Sequence, residues 1–248
     1  MFCDYGTNDC RLLSPAPMRD ISARVAANRY MDNPRRTRMK LYHAPGSCSQ
    51  AICIVLREGG IDAEVIKVDA RKHVIEDGRN YYDVTELGYV PLLELDDGTL
   101  LREGPVIAQY LADLRPDAGL APAYGSLARY RLMEWLNFLG TEIHKGFIPL
   151  LYAVQAGKYV DPARTKLDSR FAWIDRQLEG KTFVTGDTFT VADAYLFALT
   201  GWGKADWMRS VYHADIDLTR YAHLRAWYER VRARPAVQQV LEADGLAR

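Results

Sequence analysis

The pattern of strands and helices changes once along this chain, and the change limits the folds open to it. From Met39 to about Leu114, short apolar runs typical of strands alternate with helical stretches, in the order β-α-β and then β-β-α. From Ser126 onwards, apolar residues recur almost throughout at helical spacing. This order predicts a small mixed sheet with helices on its faces, followed by an all-helical domain.

Composition along the chain predicts four segments. Residues 1–38 are rich in arginine and lack the apolar core of a signal peptide, so they are interpreted as a loosely ordered extension or as a start assigned upstream of Met39. Residues 39–117 are the predicted α/β domain, and residues 118–124 are a linker containing Pro, Gly and Ala. Residues 125–248 are the predicted all-helical domain.

The spacing of apolar residues predicts where the helices of the second domain lie. The expected helices span 126–151, 163–178, 194–203, 218–233 and 236–243. The third is preceded by Thr190-Val191-Ala192-Asp193, where the acid follows the threonine by three residues. That spacing predicts a capping box.

The composition argues against several classes of partner. The 248 residues are 48% hydrophobic, which is ample for a buried core. Lys and Arg number 32 and Asp and Glu also number 32, so no net charge favours nucleic acid or an anionic membrane surface. No apolar run approaches the roughly 18–20 residues that a membrane span needs.

The cysteines point to a reducing compartment. A disulfide framework would spread them along the chain, whereas all four lie near its start, so we expect a cytoplasmic protein. They have neither C-x-x-C spacing nor a metal-ligand spacing with histidine, and no metal site is predicted. The four are Cys3, Cys10, Cys48 and Cys53.

One cysteine lies in a turn between the first strand and the first helix. Pro45 and Gly46 end the strand, and a helix is predicted from Ser47 to Glu58, which puts Cys48 at its N-terminus. Unpaired N–H groups and the helix dipole favour an anion there, so the pKa of Cys48 is predicted to lie below that of an ordinary cysteine. The alternative is a small, buried, apolar cysteine in a tight turn.

Two other turns carry candidate binding groups. Pro91 opens a predicted strand, and a cis bond to it would expose the backbone of Val90 to an extended peptide; an ordinary trans turn is the alternative. Glu103 and Gly104 begin another helix. They could hold the ammonium and carboxylate groups of an amino acid, or simply cap the helix.

In this order the motifs resemble the glutathione transferase family, and most closely its bacterial beta class. The opening strand Met39-Lys40-Leu41-Tyr42 and the turn Pro45 to Ser49 match that class, and the match covers residues 39–246. Other matching motifs are Leu56-Arg57-Glu58, Leu95-Asp96-Asp97-Gly98, Gln109-Tyr110-Leu111-Ala112-Asp113, Glu134-Trp135-Leu136-Asn137-Phe138 and Glu142-Ile143-His144-Lys145. The resemblance implies a thioredoxin-like N-terminal domain followed by an all-helical C-terminal domain, with glutathione as co-substrate and a homodimeric assembly.

The resemblance also implies roles for individual residues. Cys48, Ser49 and His144 would act on the glutathione sulfur, with which Cys48 could form a mixed disulfide. For His144, which lies on an apolar helix, a packing role is the alternative. The implied glutathione-binding residues are Cys48, Lys72, His73, Val90, Pro91, Glu103, Gly104, Asn137, Thr141, Glu142, His144, Lys145 and Trp202.

Three positions depart from the beta-class pattern. His43 stands where a second tyrosine is frequent, and Cys53 stands where many relatives have histidine. His73 occupies a position that is often a lysine used for the glycine carboxylate of glutathione, and Lys72 beside it could take that role. A neutral histidine binds a carboxylate more weakly than a lysine does.

The predicted function is that of a detoxifying transferase, in which the glutathione thiolate attacks an electrophilic, hydrophobic co-substrate. A second hypothesis is thiol–disulfide oxidoreduction or reductive dehalogenation, in which Cys48 itself is linked to glutathione. A third hypothesis is a non-catalytic protein of the same fold that binds hydrophobic ligands or a protein partner.

Overall fold

A computed structural model describes residues 39–204, 217 and 219–247 of the chain. The prediction for residues 1–38 lies outside the described residues. The strands are β1 Lys40–His43, β2 Glu64–Asp69, β3 Val74–Ile75, β4 Leu92–Glu94 and β5 Leu100–Leu101. The helices are α1 Gln50–Glu58, α2 Gly104–Leu114, α3 Leu127–Phe138, α4 Ile148–Leu151, α5 Ala153–Ala156, α6 Val160–Leu178, α7 Val191–Lys204, α8 Ala222–Arg232 and α9 Pro235–Ala243.

The five strands form one mixed sheet in the order β3-β2-β1-β4-β5. The central strand β1 is parallel to β2 and antiparallel to β4, and the β4–β5 pair is the hairpin predicted around Asp97-Gly98. The predicted β-α-β and β-β-α order is therefore confirmed. The prediction missed β3, whose two residues, Val74 and Ile75, are too few to show a period.

Helix α1 is the element that joins the two halves of the core. Every residue from Gln50 to Leu56 is buried, because α1 packs on α2 and also on α7 and α9 of the helical half. Leu41 of β1 belongs to the same apolar cluster, whereas its neighbour Tyr42 points to a smaller cluster on the opposite face of the sheet. The position of the turn before α1 is therefore set by both halves of the protein.

The long helix predicted over 126–151 is a succession of helical types. Ser126 caps α3 by accepting a hydrogen bond from the Arg129 N–H at 3.1 Å. After α3 the chain continues as a π-helical segment, Leu139–His144, and a 3₁₀ turn, Lys145–Phe147, before α4. Pro149, in the first turn of α4, has no N–H to give to a preceding carbonyl, so one hydrogen bond of a continuous α-helix is missing here. Short π-helical segments are frequent at functional sites.

The predicted capping box at the start of α7 is confirmed, and it is part of a larger buried network. Asp193 accepts hydrogen bonds from the Thr190 N–H at 2.9 Å and the Thr190 hydroxyl at 3.1 Å. Its other oxygen accepts from the Val184 N–H at 2.8 Å and from Nε1 of Trp227 at 2.9 Å. Asp193 is fully buried, and burial raises the pKa of its carboxyl although these hydrogen bonds act to lower it.

No helix formed by the described residues combines the length and apolar character that a membrane span requires.

We expect Asp193→Ala to be strongly destabilising. The change leaves N–H donors of Val184, Thr190 and Trp227 buried without an acceptor, and losing part of a buried charged network costs about 3–5 kcal/mol. Urea denaturation followed by circular dichroism measures the loss in free energy of unfolding. The control is Asp161→Ala, at an exposed position in the first turn of α6, where about 0.3–1 kcal/mol is expected. Equal losses in the two variants would contradict the prediction.

Candidate functional site

Cys48 lies in the turn that leads into α1, two residues before the first helical residue. Its carbonyl accepts the Ala51 N–H at 3.2 Å, as in a first helical turn. Its thiol is partly buried and donates to the Val90 carbonyl at 3.4 Å. The turn after β1 therefore meets the segment before β4 through this sulfur.

The prediction that Cys48 has a lowered pKa is wrong for the ligand-free protein. Burial of the thiol dominates and raises the pKa of Cys48 to about 12. The N–H groups of Cys48 and Ser49 and the charge of Lys145 act in the opposite direction, but they do not compensate for lost hydration, and Glu103 adds a further increase. Cys48 is therefore a protonated hydrogen-bond donor at neutral pH.

The Val90–Pro91 bond is cis, as the resemblance implies. The Val90 N–H makes no hydrogen bond to any described residue. A Cβ on Gly104 would lie 3.5 Å from Cγ of Pro91, so the start of α2 packs against the proline ring. Glu103 precedes α2 with φ of 66°, is exposed, and does not cap the helix with its side chain. The capping alternative for Glu103 is therefore not supported.

His144 ends the π-helical segment and faces two aromatic residues of α7. Its Nδ1 is 2.7 Å from the hydroxyl of Tyr195, and its ring lies edge-on to Trp202 with centroids 5.0 Å apart. Burial, with a smaller contribution from the charge of Lys145, lowers the pKa of His144 to about 4. The imidazole is therefore neutral at pH 7, and its Nε2 makes no hydrogen bond to any described residue.

Trp202 connects the helical half to the Cys48 turn. Its indole is buried, and its Nε1 donates to the Gly46 carbonyl at 2.9 Å. Trp202, one of the implied glutathione-binding residues, therefore also has a structural contact with this turn. The contacts of His144 with Trp202, and of Trp202 with Gly46, bring the π-helical segment to the turn that carries Cys48.

Two of the predicted site residues, Ser49 and Glu142, bond to other residues of the protein. Ser49 is fully buried, with its hydroxyl 2.7 Å from Nδ1 of His43, so it is not free to touch a ligand. Glu142 forms ion pairs with Arg170 at 2.7 Å and Lys166 at 3.2 Å on α6, and the hydrogen bonds from these two residues hold the pKa of its carboxyl below the usual range. The sequence match could not detect either arrangement, because both depend on distant residues.

Lys72 and His73, the two candidates for binding the glycine carboxylate of glutathione, differ in how accessible they are to a ligand. Lys72 is exposed, and its Nζ is 3.6 Å from a carboxylate oxygen of Asp69, a distance at which it can exchange partners easily. His73 packs its ring against Tyr82, with centroids 4.5 Å apart. The Nδ1 of His73 is buried and makes no hydrogen bond to a described residue. Lys72 is the better placed of the two.

Asn137 and Thr141 lie on the outer surface of α3 and the segment after it. Both are exposed, and the Thr141 hydroxyl donates to the Asn137 carbonyl at 3.0 Å. Lys145 is also exposed, next to His144.

Two partners of site residues were missed by the sequence analysis. Tyr195, which bonds to His144, lies in an apolar stretch of α7 where nothing in the sequence marks it. Asp244, at the end of α9, bonds to His43 and to the Gly46 N–H in the turn before Cys48. Both contacts join residues that are far apart along the chain, so no local pattern could have indicated them.

A cavity of about 920 Å³ lies away from these residues. Trp135, Phe138 and Trp173 line it, together with the segment around Thr185, and it includes none of the candidate glutathione-binding residues. Among the described residues, no group of three His, Cys, Asp or Glu side chains is arranged to hold a metal ion.

We expect Cys48 to resist alkylation in the ligand-free protein. With a pKa of about 12 the thiol carries very little thiolate at pH 8, so iodoacetamide should modify it at least about 100-fold more slowly than in the urea-unfolded chain. Peptide mapping by mass spectrometry measures Cys48 separately from the other cysteines. Faster alkylation in the native than in the unfolded state would contradict the raised pKa.

Comparisons with known proteins agree with this arrangement. The family model of the glutathione S-transferase N-terminal domain matches residues 46–114, and that of the C-terminal domain matches residues 154–230. The chain is 41% identical over 208 residues to glutathione S-transferase GstA of Escherichia coli O157:H7, covering 84% of this chain and 100% of the relative.

Solved structures extend the likeness to three dimensions. A sphingomonad glutathione S-transferase complexed with glutathione superposes with a TM-score of 0.76 at 41% identity, covering 84% of this chain and 100% of that one. A bacterial beta class glutathione S-transferase of Sphingomonas chungbukensis also gives a TM-score of 0.76, at 40% identity, covering 84% and 99%. The chain therefore belongs to the glutathione S-transferase family, with its thioredoxin-like N-terminal domain and helical C-terminal domain.

Proposed function

We propose that this protein is a transferase that binds reduced glutathione and directs its thiolate to an electrophilic carbon of a hydrophobic co-substrate. The observation that carries the proposal is the meeting of separate motifs around one sulfur. The thiol of Cys48 contacts Val90, whose cis bond leads to Pro91, and Gly104 packs against that proline. His144 approaches the same turn through Trp202.

The groups around this sulfur match the parts of glutathione. The Val90 N–H, which bonds to none of the described residues, can bond to the extended cysteinyl backbone as an added strand would. The N–H of Gly104 at the start of α2 also makes no bond to a described residue, and it faces away from the helix, where a carboxylate is favoured. No described cation pairs with the exposed carboxylate of Glu103, which can therefore receive the γ-glutamyl ammonium.

Cys48 and His144 act in this proposal as donors to the glutathione thiolate. Cys48 keeps its proton because its pKa is about 12, and its S–H can turn from the Val90 carbonyl to the incoming sulfur. When Tyr195 donates to Nδ1 of His144, the ring proton resides on Nε2, which then provides a second donor. A hydrogen bond to a charged group contributes about 1.5–3 kcal/mol, enough to lower a thiol pKa by about one unit or more. The displaced thiol proton passes to solvent, and the thiolate attacks the electrophile.

The raised pKa of Cys48 bears on the second hypothesis. Thiol–disulfide exchange and reductive dehalogenation through Cys48 need its thiolate as nucleophile, and burial disfavours that form. Cys48→Ala separates the two reactions, because conjugation loses one of its two donors and should persist at a reduced rate, whereas chemistry through a Cys48–glutathione disulfide should be lost. The third hypothesis, a non-catalytic ligand-binding protein, predicts no turnover with any electrophile.

The predicted cytoplasmic location stays a prediction.

A homodimer is part of the proposal, and the surface of α3 supports it. Leu127, Tyr130 and Met133 are large, exposed, apolar or aromatic side chains at a spacing of three residues along one face of the helix. Asn137 and Thr141 continue this face at intervals of four residues. A second copy bound here would place Asn137 and Thr141 at the boundary between subunits.

Calorimetric titration with reduced glutathione tests the cofactor site directly. We expect saturable binding, and conjugation of glutathione to 1-chloro-2,4-dinitrobenzene. Glu103→Gln removes the charge that would hold the ammonium, so its affinity for glutathione should fall about ten-fold or more. Glu179→Gln, at an exposed position after α6, is the matched control and should bind like the unmodified protein. Absence of binding by the unmodified protein would contradict the proposed function.

Sedimentation at micromolar concentration tests the assembly. Tyr130→Asp puts a charge in the middle of the exposed α3 face and should convert the expected dimer to a monomer, because a buried unpaired charge opposes association. Val154→Asp is the control, since Val154 is 92% exposed on a different helix. A monomeric unmodified protein would show that the α3 face does not bind a second copy.

A further inference from the structure

The peptide groups of Gly46 are held from two sides by residues of the helical half. The Gly46 N–H donates to Asp244 Oδ2 at 3.3 Å, and the Gly46 carbonyl accepts from Nε1 of Trp202 at 2.9 Å. Gly46 has φ of 73°, a conformation that side chains other than glycine rarely adopt. The turn that presents Cys48 thus takes its shape from contacts outside its own domain.

The carboxylate of Asp244 accepts three hydrogen bonds from this region. Its Oδ1 accepts from Nε2 of His43 at 2.8 Å, and its Oδ2 accepts from the side-chain amide of Gln50 at 3.0 Å as well as from Gly46. The side chains of Asp244 and His43 are 3% and 1% exposed. Burial opposes ionisation of Asp244, but these hydrogen bonds and the charge of His43 outweigh it and hold the pKa of the carboxyl below its usual range.

His43 carries the network on to the other end of the turn. Its Nδ1 is 2.7 Å from the hydroxyl of Ser49, which also accepts the Ala44 N–H at 3.1 Å. The Ser49 hydroxyl lies 2.6 Å from that of Ser47. Ser49 is therefore linked to the Asp244 carboxylate through His43, and Ser47 is linked to it through Ser49 and His43.

Ser49, His43 and Asp244 have the order of a nucleophilic triad, but they cannot act as one. Ser49 is 0% exposed, so no substrate carbonyl can approach its hydroxyl. A buried, fully bonded serine–histidine–aspartate set fixes geometry instead. These three side chains hold the backbone between Ala44 and Gln50 in place.

We propose that Asp244 is a positioning residue for the glutathione site, acting through Gly46, His43 and Gln50 on the turn that carries Cys48. This inference rests on the proposed function as far as it concerns glutathione. The last helix, α9, packs on α1, and Asp244 follows it directly. The end of the chain thereby controls a site whose own residues lie in the first domain and the middle of the second.

Docking of α9 by itself is a different role, and the chain provides a control for it. Arg234, just before α9, forms a two-pronged ion pair with Glu58 of α1 at 2.6 and 2.7 Å. Glu58→Gln weakens the docking of α9 but leaves every contact of the Cys48 turn in place. Asp244→Asn keeps the size of the side chain but only one acceptor oxygen, so its N–H₂ group must face either the His43 donor or the Gly46 and Gln50 donors.

Two measurements on the full chain separate these roles. The first is the affinity for reduced glutathione by calorimetry, which should stay unchanged in Glu58→Gln. In Asp244→Asn it should weaken about ten-fold or more, because binding must then also restore the position of the turn, at a cost similar to one hydrogen bond to a charged group. The second is alkylation of Cys48 by iodoacetamide in the ligand-free protein. It should be faster in Asp244→Asn than in the unmodified protein, because a loosened turn exposes the thiol, and unchanged in Glu58→Gln.

Equal effects in the two variants, or no effect in Asp244→Asn, would overturn the proposal. If the unmodified protein does not bind glutathione, the proposed function fails while the alkylation rates still decide whether Asp244 positions the turn. If Asp244→Asn does not fold, Gln50→Met takes its place. That variant removes one of the three donors, keeps the carboxylate, and should change both readouts in the same direction.

Discussion

The burial of α1 between the sheet and the helical half is the constraint on which the rest of the structure depends. A short helix with all residues from Gln50 to Leu56 buried cannot shift without disturbing α2, α7 and α9, which pack around it. The turn before α1 therefore has a fixed position, and the side chain of Cys48 loses much of its hydration there. The geometry and the electrostatics of the site follow from this single packing arrangement.

Burial also decides which groups keep their protons. The Cys48 thiol has a raised pKa and His144 a lowered one, of about 12 and about 4, and in both cases loss of hydration is the largest cause. Both groups are uncharged at neutral pH. An anion that a ligand brings to this sulfur is therefore stabilised mainly by hydrogen-bond donors, because the charges of Lys145 and Glu103 act on Cys48 in opposite directions. Bound glutathione supplies such an anion once its thiol ionises.

The sequence predicted the elements of the fold well and the contacts between them poorly. Strand β1 and the start of α7 carry strong local signals, an apolar run before Pro45 and a capping box, and both were located correctly. The bond between His43 and Asp244 joins residues 201 positions apart, and that between His144 and Tyr195 joins residues 51 apart. Such pairs depend on how helices pack, which periodicity does not encode. The pKa of Cys48 was mispredicted for the same reason, because the helix terminus is visible in the sequence and the depth of burial is not.

The two histidines that depart from the beta-class pattern illustrate how burial gives one residue type different roles. Both ring nitrogens of His43 have hydrogen-bond partners, Ser49 and Asp244. A histidine in place of the tyrosine therefore leaves neither ring nitrogen unsatisfied. His73 has a buried Nδ1 without a described partner, and an unsatisfied buried group costs about 1–3 kcal/mol. A Cβ on Gly88 would lie 2.7 Å from that nitrogen, so the nitrogen faces the backbone of Gly88 and not an open cleft. His73 is therefore a packing residue on its Nδ1 side, whereas Lys72 beside it is exposed.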